Sequence, residues 1–256
     1  SLRHLPAMDE GIFNPVLYLE RLENSIKDSV PAPVALIVSF PSNPTAQVVS
    51  LEFYKELVKI ALKYNVYILS DLAYAEIYYD DIKPPSILEV SRAKEVAVEF
   101  TSMSKTYAMA GWRIGFAVGN TKLIYALTRI KSYLDYGAFT PVQVAAASAL
   151  NGPQSCVEDI RNTYQRRRDV LITSMARSGW DIPKPQASMF AWAPLPEKYK
   201  SKGSLEFAKE LMLKADVAVA PGVAFGEYGE GYVRVGLVEN EQRIRQAAKN
   251  IKKILL

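Results

Sequence analysis

Residues 96–115 read VAVEFTSMSKTYAMAGWRIG, and the organisation of the chain can be worked out from this stretch. Its first part, Val96–Thr101, is a short and largely apolar run that is typical of a buried strand. Ser102 and Lys105 follow directly, and Arg113 comes eight positions after the lysine. The stretch therefore predicts a strand whose carboxyl end is followed by a hydroxyl, an amine and a guanidinium group.

Two other predicted strands also end at polar side chains. Val34–Ser39 (VALIVS), which we expect to be buried on both faces, leads into a proline-rich turn that contains Asn43. Val66–Ser70 (VYILS) is followed by Asp71 and then by Tyr74. Because ligands of open α/β sheets bind at the carboxyl ends of the strands, we expect a polar cluster at that edge.

The order of elements in the first part of the chain predicts an α/β fold. Amphipathic patterns predict one helix from Pro15, with Val16 on its inner face, and another over Leu51–Tyr64; Gly115–Val118 is a candidate fourth strand. Such an order is typical of a mostly parallel sheet with helices on both faces. Further helices are predicted over 123–133, 141–150 and 155–178.

A different pattern begins near Cys156 and predicts a smaller α+β domain. We expect an irregular segment before Asn14, a domain over residues 1–155 and a second domain over residues 156–256. The elements predicted in the second domain are an alternating region over 188–193, helices over 205–214 and 241–254, and strands over 217–220 and 232–236.

Composition excludes several classes of protein. Of 256 residues, 49% are apolar and 23% are charged, which is typical of a folded globular chain. There is one histidine, His4, and one cysteine, Cys156, so neither a His/Cys zinc site nor an intrachain disulfide can form. We therefore predict no metal site, and we expect Cys156 to be a small buried apolar residue.

Charge and motifs argue against nucleic-acid and membrane partners. The net charge is +4, and we interpret the basic run Arg166–Arg168 as a solvated helix face, because no nucleic-acid-binding motif accompanies it. No apolar run approaches the roughly 18 residues that cross a bilayer. Because no signal peptide opens the chain, a cytoplasmic location is the default expectation. The glycine motifs that bind nucleotide phosphates are also missing, which disfavours a dinucleotide oxidoreductase.

A lysine after one buried strand, with a carboxylate after the neighbouring strand, fits a Schiff-base site. Pyridoxal 5'-phosphate needs an amine for its aldehyde, an acidic partner for its ring nitrogen and polar groups for its phosphate. Lys105, Asp71 and the polar groups near them supply all three.

Four stretches resemble the markers of one family. The segment 102–115 (SMSKTYAMAGWRIG) resembles the lysine signature of the class I/II, fold-type I aminotransferases. The stretches 41–45 (PSNPT), 71–74 (DLAY) and 232–235 (YVRV) resemble its other markers, in the same order. The segment 131–141 places the chain closest to the alanine aminotransferase and LL-diaminopimelate aminotransferase branch. The resemblance implies part of a large pyridoxal-phosphate domain followed by a small C-terminal α+β domain.

The resemblance also implies roles for individual residues. Lys105 would carry pyridoxal 5'-phosphate as a Schiff base and move the proton between substrate and cofactor. Asp71 would face the pyridine nitrogen, and Tyr74 and Asn43 would bond the phenolic oxygen. Lys105, Asp71 and Tyr74 would thus be the catalytic residues. The remaining roles would be phosphate binding by Ser102 and Arg113, and binding of the substrate carboxylate by Arg234 with Asn43.

Each of these residues also has a purely structural interpretation. Lys105 is by itself most simply a surface lysine, and Asp71 and Asn43 are common choices in turns. Arg113 and Arg234 can form structural ion pairs, and the Ser102 hydroxyl can bond nearby backbone. The joint occurrence of all of them at the family's spacing favours the catalytic interpretation.

The resemblance implies an aminotransferase acting on a small amino acid of the alanine/glutamate type and a 2-oxo acid, as a homodimer in its full-length form. An LL-diaminopimelate or aspartate-type aminotransferase is an alternative, as are another fold-type I enzyme and a non-catalytic protein of this fold. Residues 1–42 contain no candidate for the family's glycine-rich phosphate loop or ring-stacking aromatic residue. We therefore expect the chain to be a fragment with doubtful activity of its own.

Overall fold

The computed structural model describes residues 2–5, 8–9 and 12–255, and they form two compact units. The first unit comprises Ser1–Pro41, Val48–Glu76 and Lys83–Val157, and the second comprises Ser42–Gln47, Ile77–Ile82 and Glu158–Leu256. The assignment of residues 1–155 and 156–256 as large and small domains remains a prediction.

A four-stranded sheet forms the centre of the first unit. Its strands, in spatial order, are β3 (Ala35–Ser39), β4 (Tyr67–Asp71), β5 (Ala97–Ser102) and β6 (Gly115–Gly119). The first three are parallel and β6 runs antiparallel to β5, so the predicted mostly parallel sheet is confirmed. Strands β3, β4 and β5 each begin one residue later than predicted, and β4 and β5 also end one residue later.

Two amphipathic helices bury the side chains on one face of this sheet. They are α1 (Pro15–Lys27) and α2 (Leu51–Tyr64), whose N-termini are capped by Asn14 and Ser50. Leu57 of α2 is fully buried in the same core as Val38 and Ile68 of the sheet, so truncation of Leu57 to alanine is expected to cost about 2–5 kcal/mol.

The first unit also contains three shorter or more exposed helices and a small hairpin. The helices are α3 (Met103–Thr106), α4 (Thr121–Leu134) and α5 (Thr140–Asn151). The hairpin pairs β1 (Met8–Asp9) with β2 (Ile12–Phe13) in antiparallel fashion, where an irregular segment was expected. Residues 1, 6–7 and 10–11 of that expected segment lie outside the described residues.

The second unit has the α+β character that the sequence predicts. Its antiparallel sheet has the order β7 (Phe190–Pro194), β9 (Tyr232–Gly236), β8 (Ala220–Pro221). The helices that follow the predicted positions are α6 (Ser155–Ala176), α7 (Ser204–Ala215) and α8 (Glu241–Leu255).

The predicted strand over residues 217–220 is wrong except at its last residue. Helix α7 ends at Ala215, and the residue that caps it, Asp216, has the left-handed conformation at φ 56°. The amide of Val217 then donates to the carbonyl oxygen of Leu211, which ties this residue to the helix end. Strand β8 therefore begins only at Ala220.

The interpretation of Arg166–Arg168 as a solvated face is wrong for Arg168, whose side chain is fully buried. Its guanidinium donates to both carboxylate oxygens of Asp80, at 2.8 and 2.9 Å, and lies 4.5 Å from the centre of the Tyr79 ring. Neighbouring residues of a helix point in different directions, so a run of three arginines cannot share one solvated face.

Three burial predictions also differ from the structure. Ile37 is 63% exposed, because strand alternation places it on the sheet face opposite the Val38 side chain. Val16 is 74% exposed, and Tyr18 takes its place on the inner face of α1. Cys156 is exposed in the first turn of α6 instead of lying in the core. Among the described residues, no helix is long and apolar enough to cross a membrane.

Candidate active site

Asp71 is the last residue of β4, and its carboxylate is oriented by the turn that follows. Its Oδ1 accepts a hydrogen bond from the Ala73 backbone amide at 3.0 Å. Its own carbonyl oxygen accepts from the Phe40 amide, and the Leu72 amide donates to the Phe100 carbonyl. Backbone bonds on both sides thus hold Asp71 at the carboxyl edge of the parallel strands, where its side chain is exposed.

Lys105 lies in α3, directly after β5, and is half-buried. Its Nζ is 6.0 Å from the centre of the ring of Tyr74, which is also half-buried. Since Tyr74 follows Asp71 by three residues, the lysine amine lies beside the loop that leaves β4. The predicted lysine, phenol and carboxylate therefore come from two neighbouring strand ends.

Ser102 and Arg113 lie at the two ends of the segment that carries Lys105. Ser102 caps α3, accepting from the Ser104 amide at 3.2 Å, and it pairs with Gly115 in the β5–β6 register. A Cβ on Gly115 would lie 2.5 Å from the Thr101 carbonyl oxygen, so this close pairing requires glycine. Because Ser102 pairs with Gly115, the end of the segment lies close to its beginning. Arg113, two residues before Gly115, has the left-handed backbone conformation.

The hydrogen bonds of Ser102 and Arg113 agree in part with the structural roles considered for these residues from the sequence. Arg113 donates from one Nη1 to the Ala110 carbonyl oxygen at 2.9 Å, and Ser102 bonds backbone as an N-cap. A guanidinium has five N–H donors, and a serine hydroxyl that accepts one bond retains its own proton to donate. Both groups thus remain suited to an anionic ligand.

Asn43 and Arg234 are in contact in the second unit. Arg234 Nη1 donates to Asn43 Oδ1 at 2.8 Å, and the guanidinium carbon lies 4.7 Å from the ring centre of Phe225 and 5.1 Å from that of Phe190. Trp192 continues this aromatic packing, stacking on Tyr232. The arginine is therefore held by an amide and two rings. Among residues 12–255, no carboxylate forms an ion pair with it.

Sequence reasoning missed a buried carboxylate in the central sheet of the first unit. Glu99 of β5 is 5% exposed, and it accepts hydrogen bonds from the Ser86 hydroxyl and the Ile87 amide. Burial raises the pKa of Glu99. The sequence does contain a signal for this buried carboxylate, namely an acidic residue within the largely apolar run VAVEFT.

Sequence reasoning also missed a contact made by Tyr107, two residues after Lys105. The hydroxyl of Tyr107 donates to Gln154 Oε1 at 2.8 Å, and burial raises the pKa of this phenol. Their separation of 47 positions left no local pattern that points to the contact.

The donor set of the first unit suits pyridoxal 5'-phosphate. An amine at Lys105, a carboxylate at Asp71, a hydroxyl at Ser102 and a guanidinium at Arg113 match the aldehyde, ring nitrogen and phosphate of that cofactor. Within the part of the chain that the structure describes, no group of three or more His, Cys, Asp or Glu residues is arranged to hold a metal ion.

Comparison with known proteins identifies the family. The model of the family described as aminotransferase class I and II matches residues 16–251, so the chain belongs to this family. The resemblance seen in the sequence is therefore confirmed, and so is the fold-type I architecture. The structure of an aromatic aminotransferase from Pyrococcus horikoshii is similar with a TM-score of 0.88 at 28% identity, covering 98% of this chain and 66% of that one.

Several curated relatives are aminotransferases. The chain is 60% identical over 247 residues to a putative aminotransferase, AatC, of Rhizobium meliloti, covering 96% of this chain and 60% of the relative. It is 55% identical over 235 residues to the glutamate-pyruvate aminotransferase AlaC of Escherichia coli, covering 92% and 57%. An LL-diaminopimelate aminotransferase of Moorella thermoacetica is 41% identical over 232 residues, covering 89% and 59%. The chain thus spans 57–60% of the length of these relatives.

Proposed function

We propose that this chain carries pyridoxal 5'-phosphate on Lys105 and transfers an amino group between an amino acid of the alanine/glutamate type and a 2-oxo acid. The observation that carries the proposal is the position of the Lys105 amine, 6.0 Å from the Tyr74 ring in the loop that follows Asp71. An amine beside a phenol and a carboxylate at one sheet edge fits a group-transfer site better than it fits a surface lysine.

Pyridoxal phosphate, when bound, supplies an electron-accepting ring for the carbanion formed at the substrate Cα. Asp71 supports that role by holding a proton at the pyridine nitrogen, and its orientation by the Ala73 amide prepares the carboxylate for this contact. Tyr74 would donate its hydroxyl proton to the phenolic oxygen, with Asn43 as the second donor.

Lys105 would take the proton from the substrate Cα and deliver it to the cofactor carbon C4′. The amine accepts this proton as a general base. The amine is carried on the one-turn helix α3, directly after β5.

Ser102 and Arg113 hold the phosphate in this proposal. The planar guanidinium presents paired N–H donors that match two phosphate oxygens, whereas a lysine would supply only a point charge. The β5–β6 pairing of Ser102 with Gly115 brings the two ends of the segment close together at the end of β5.

Arg234 binds the substrate carboxylate. Its bond to Asn43 uses one of its five N–H donors, and the Phe190 and Phe225 rings restrict the guanidinium plane. A guanidinium fixed in this way forms a bidentate pair at low entropic cost and orients the Cα–H bond that must break.

The substrate class rests on the relatives. The 55% identity to a glutamate-pyruvate aminotransferase favours alanine and glutamate with their 2-oxo acids. The 41% identity to an LL-diaminopimelate aminotransferase supports that substrate as the second candidate. Product analysis with alanine, LL-diaminopimelate or aspartate, each with 2-oxoglutarate, separates the three; alanine should give the largest kcat/KM.

We also propose that the full-length protein is a cytoplasmic homodimer. Helix α4 buries none of its side chains, and Tyr133, Leu134, Tyr136 and Phe139 are each at least 74% exposed. An apolar surface of this kind is typical of an interface between protein chains. A single cysteine suits a reducing compartment. Sedimentation tests the dimer, and cell fractionation tests the location.

The decisive experiment follows the visible spectrum on addition of pyridoxal 5'-phosphate, before and after borohydride. We expect a band that borohydride fixes to Lys105 and that is lost in Lys105→Ala but kept in Lys122→Ala, a matched change at an exposed lysine. A folded wild-type chain, with its remaining length restored, that forms no such adduct contradicts the proposal. Binding without turnover supports the non-catalytic alternative.

A further inference from the structure

The helix that carries Lys105 is too short to fix its own orientation. Helix α3 has four residues, and its last backbone bond runs from the Tyr107 amide to the Met103 carbonyl oxygen at 3.2 Å. A single helical turn is only marginally stable in isolation. Its geometry must therefore come from the contacts at its two ends.

One end is fixed by the sheet and the other by a side chain. Ser102, the last residue of β5, caps the start of α3 through its hydroxyl. At the far end, the Tyr107 hydroxyl donates to Gln154 Oε1 at 2.8 Å. The tyrosine is half-buried, so its ring is held as well as its hydroxyl.

Gln154 is a rigid acceptor, because its own amide group is fully engaged. Its Nε2 donates to the carbonyl oxygens of Ala149, Leu150 and Gly152, at 3.1, 3.4 and 2.7 Å. These carbonyls lie at the C-terminal end of α5 and just after it. With the nitrogen directed at three acceptors, the oxygen is directed at the phenol. The Tyr107–Gln154 bond thus fastens α3 to the end of a 12-residue helix.

We propose that Tyr107 is a positioning residue: by bonding Gln154, it fixes the C-terminal end of α3 and so sets the orientation of the Lys105 amine. This inference rests on the proposed role of Lys105. Tyr107 acts through the helix, two residues after the lysine, and touches no reacting atom.

A purely structural role for the same bond makes a different prediction. Gln154 is exposed, so water satisfies its oxygen when the phenol is removed, and the global stability of Tyr107→Phe should change little. The effect should instead concentrate on α3 and on the lysine that it carries. If the bond contributed only to overall stability, its loss would affect neither α3 nor Lys105 more than the rest of the protein.

The test compares Tyr107→Phe with Tyr64→Phe in the full chain. Tyr64 is a suitable control, because it is also half-buried and its hydroxyl also donates to a side chain, Glu23 Oε1, at 2.7 Å. In the absence of cofactor, hydrogen exchange at residues 103–107 should accelerate about fivefold in Tyr107→Phe, as expected for the loss of one hydrogen bond. It should not change in Tyr64→Phe.

Two further readouts concern the lysine. Competitive labelling with acetic anhydride should show Lys105 more reactive relative to Lys122 in Tyr107→Phe. In the protein loaded with pyridoxal 5'-phosphate, the pH midpoint of the visible band should move by about 0.5–1 pH unit, and the control should leave it unchanged. Gln154→Ala should reproduce the exchange effect, and combining it with Tyr107→Phe should add nothing further at 103–107.

Unchanged exchange at 103–107, equal acceleration in Tyr64→Phe, or faster exchange with an unmoved pH midpoint would each overturn the inference. If the wild-type chain takes up no cofactor, the proposed function fails. The exchange and labelling results then still decide whether Tyr107 positions the amine.

Discussion

Arg234 donates from Nη1 to Oδ1 of Asn43 at 2.8 Å, although 191 positions separate the two residues in the chain. Strand β9 supplies the arginine and the turn after β3 supplies the amide. The contact orients one edge of the guanidinium, and the Phe190 and Phe225 rings restrict its plane. This pairing is the geometric basis of the proposed carboxylate site.

Replacing Arg234 by lysine should lower kcat/KM for the amino acid about 100-fold, because a point charge cannot form the bidentate pair. The loss should appear mainly as a raised KM, and cofactor uptake should remain. Steady-state kinetics in the full-length protein measure both. Arg243→Lys, an exposed change on α8, is the control and should be silent. An equal loss in both variants would argue against a specific carboxylate site.

Replacing Asp71 by asparagine should lower kcat about 100- to 1,000-fold without unfolding the protein. The carboxylate is exposed and its turn bond to Ala73 is one that an amide oxygen also accepts, so the fold should tolerate the change. The rate falls because a neutral amide no longer stabilises a protonated ring nitrogen. Single-turnover kinetics and thermal unfolding measure the two effects, with Asp81→Asn as control. A full rate in Asp71→Asn contradicts the assignment.

Replacing Gly115 by alanine should destabilise the protein by about 1–3 kcal/mol, because the new Cβ would lie 2.5 Å from the Thr101 carbonyl oxygen. The β5–β6 pair must move apart beside Ser102, so cofactor affinity should also fall. Gly111→Ala is a matched control, since nothing lies within 4 Å of its Cβ position. Denaturant unfolding measures the stability of both variants, and cofactor titration measures their affinity. Equal stability of the two variants would show that the strands adjust freely.

Replacing Asp80 by asparagine should cost about 2 kcal/mol of folding free energy, because Arg168 is fully buried and loses a bidentate carboxylate. This cost is smaller than for a fully buried pair, since Asp80 is 43% exposed and Asp169 also contacts the arginine. Urea unfolding measures the cost against Asp81→Asn, whose carboxylate is exposed. A loss in the control as large as in Asp80→Asn would point to the turn instead of the arginine.

Glu23 should make folding stability depend on pH in the acid range. A hydrogen bond from Lys63, with a second from Tyr64, lowers the pKa of Glu23 from 4.5 to about 2. A pKa below that of the unfolded chain stabilises the folded state above about pH 4.5, and this contribution is lost as the pH falls toward 2. The difference in unfolding free energy between wild type and Glu23→Gln should therefore shrink from pH 7 to pH 3. A constant difference would mean that the ionised carboxylate contributes nothing.

The sequence predicted local elements well and distant contacts poorly. Helix α2 has the predicted limits, because an amphipathic period and an N-cap at Ser50 are both local signals. The burial of Arg168 depends on Asp80, 88 positions away, and no local pattern encodes that pairing. The site residues were placed by a family resemblance. The contacts that hold them, such as Tyr107 with Gln154, required the folded chain.

Strand β6 runs antiparallel to β5, and the Met103 amide donates to the Ile114 carbonyl oxygen at 3.2 Å. Residues 103–114 therefore leave the sheet after β5 and return to it where β6 begins. The hydrogen bond between Met103 and Ile114 closes this excursion at its base. Lys105 and Arg113 both belong to this excursion. A single closed stretch of chain thus carries both the proposed Schiff-base amine and one of the proposed phosphate-binding groups.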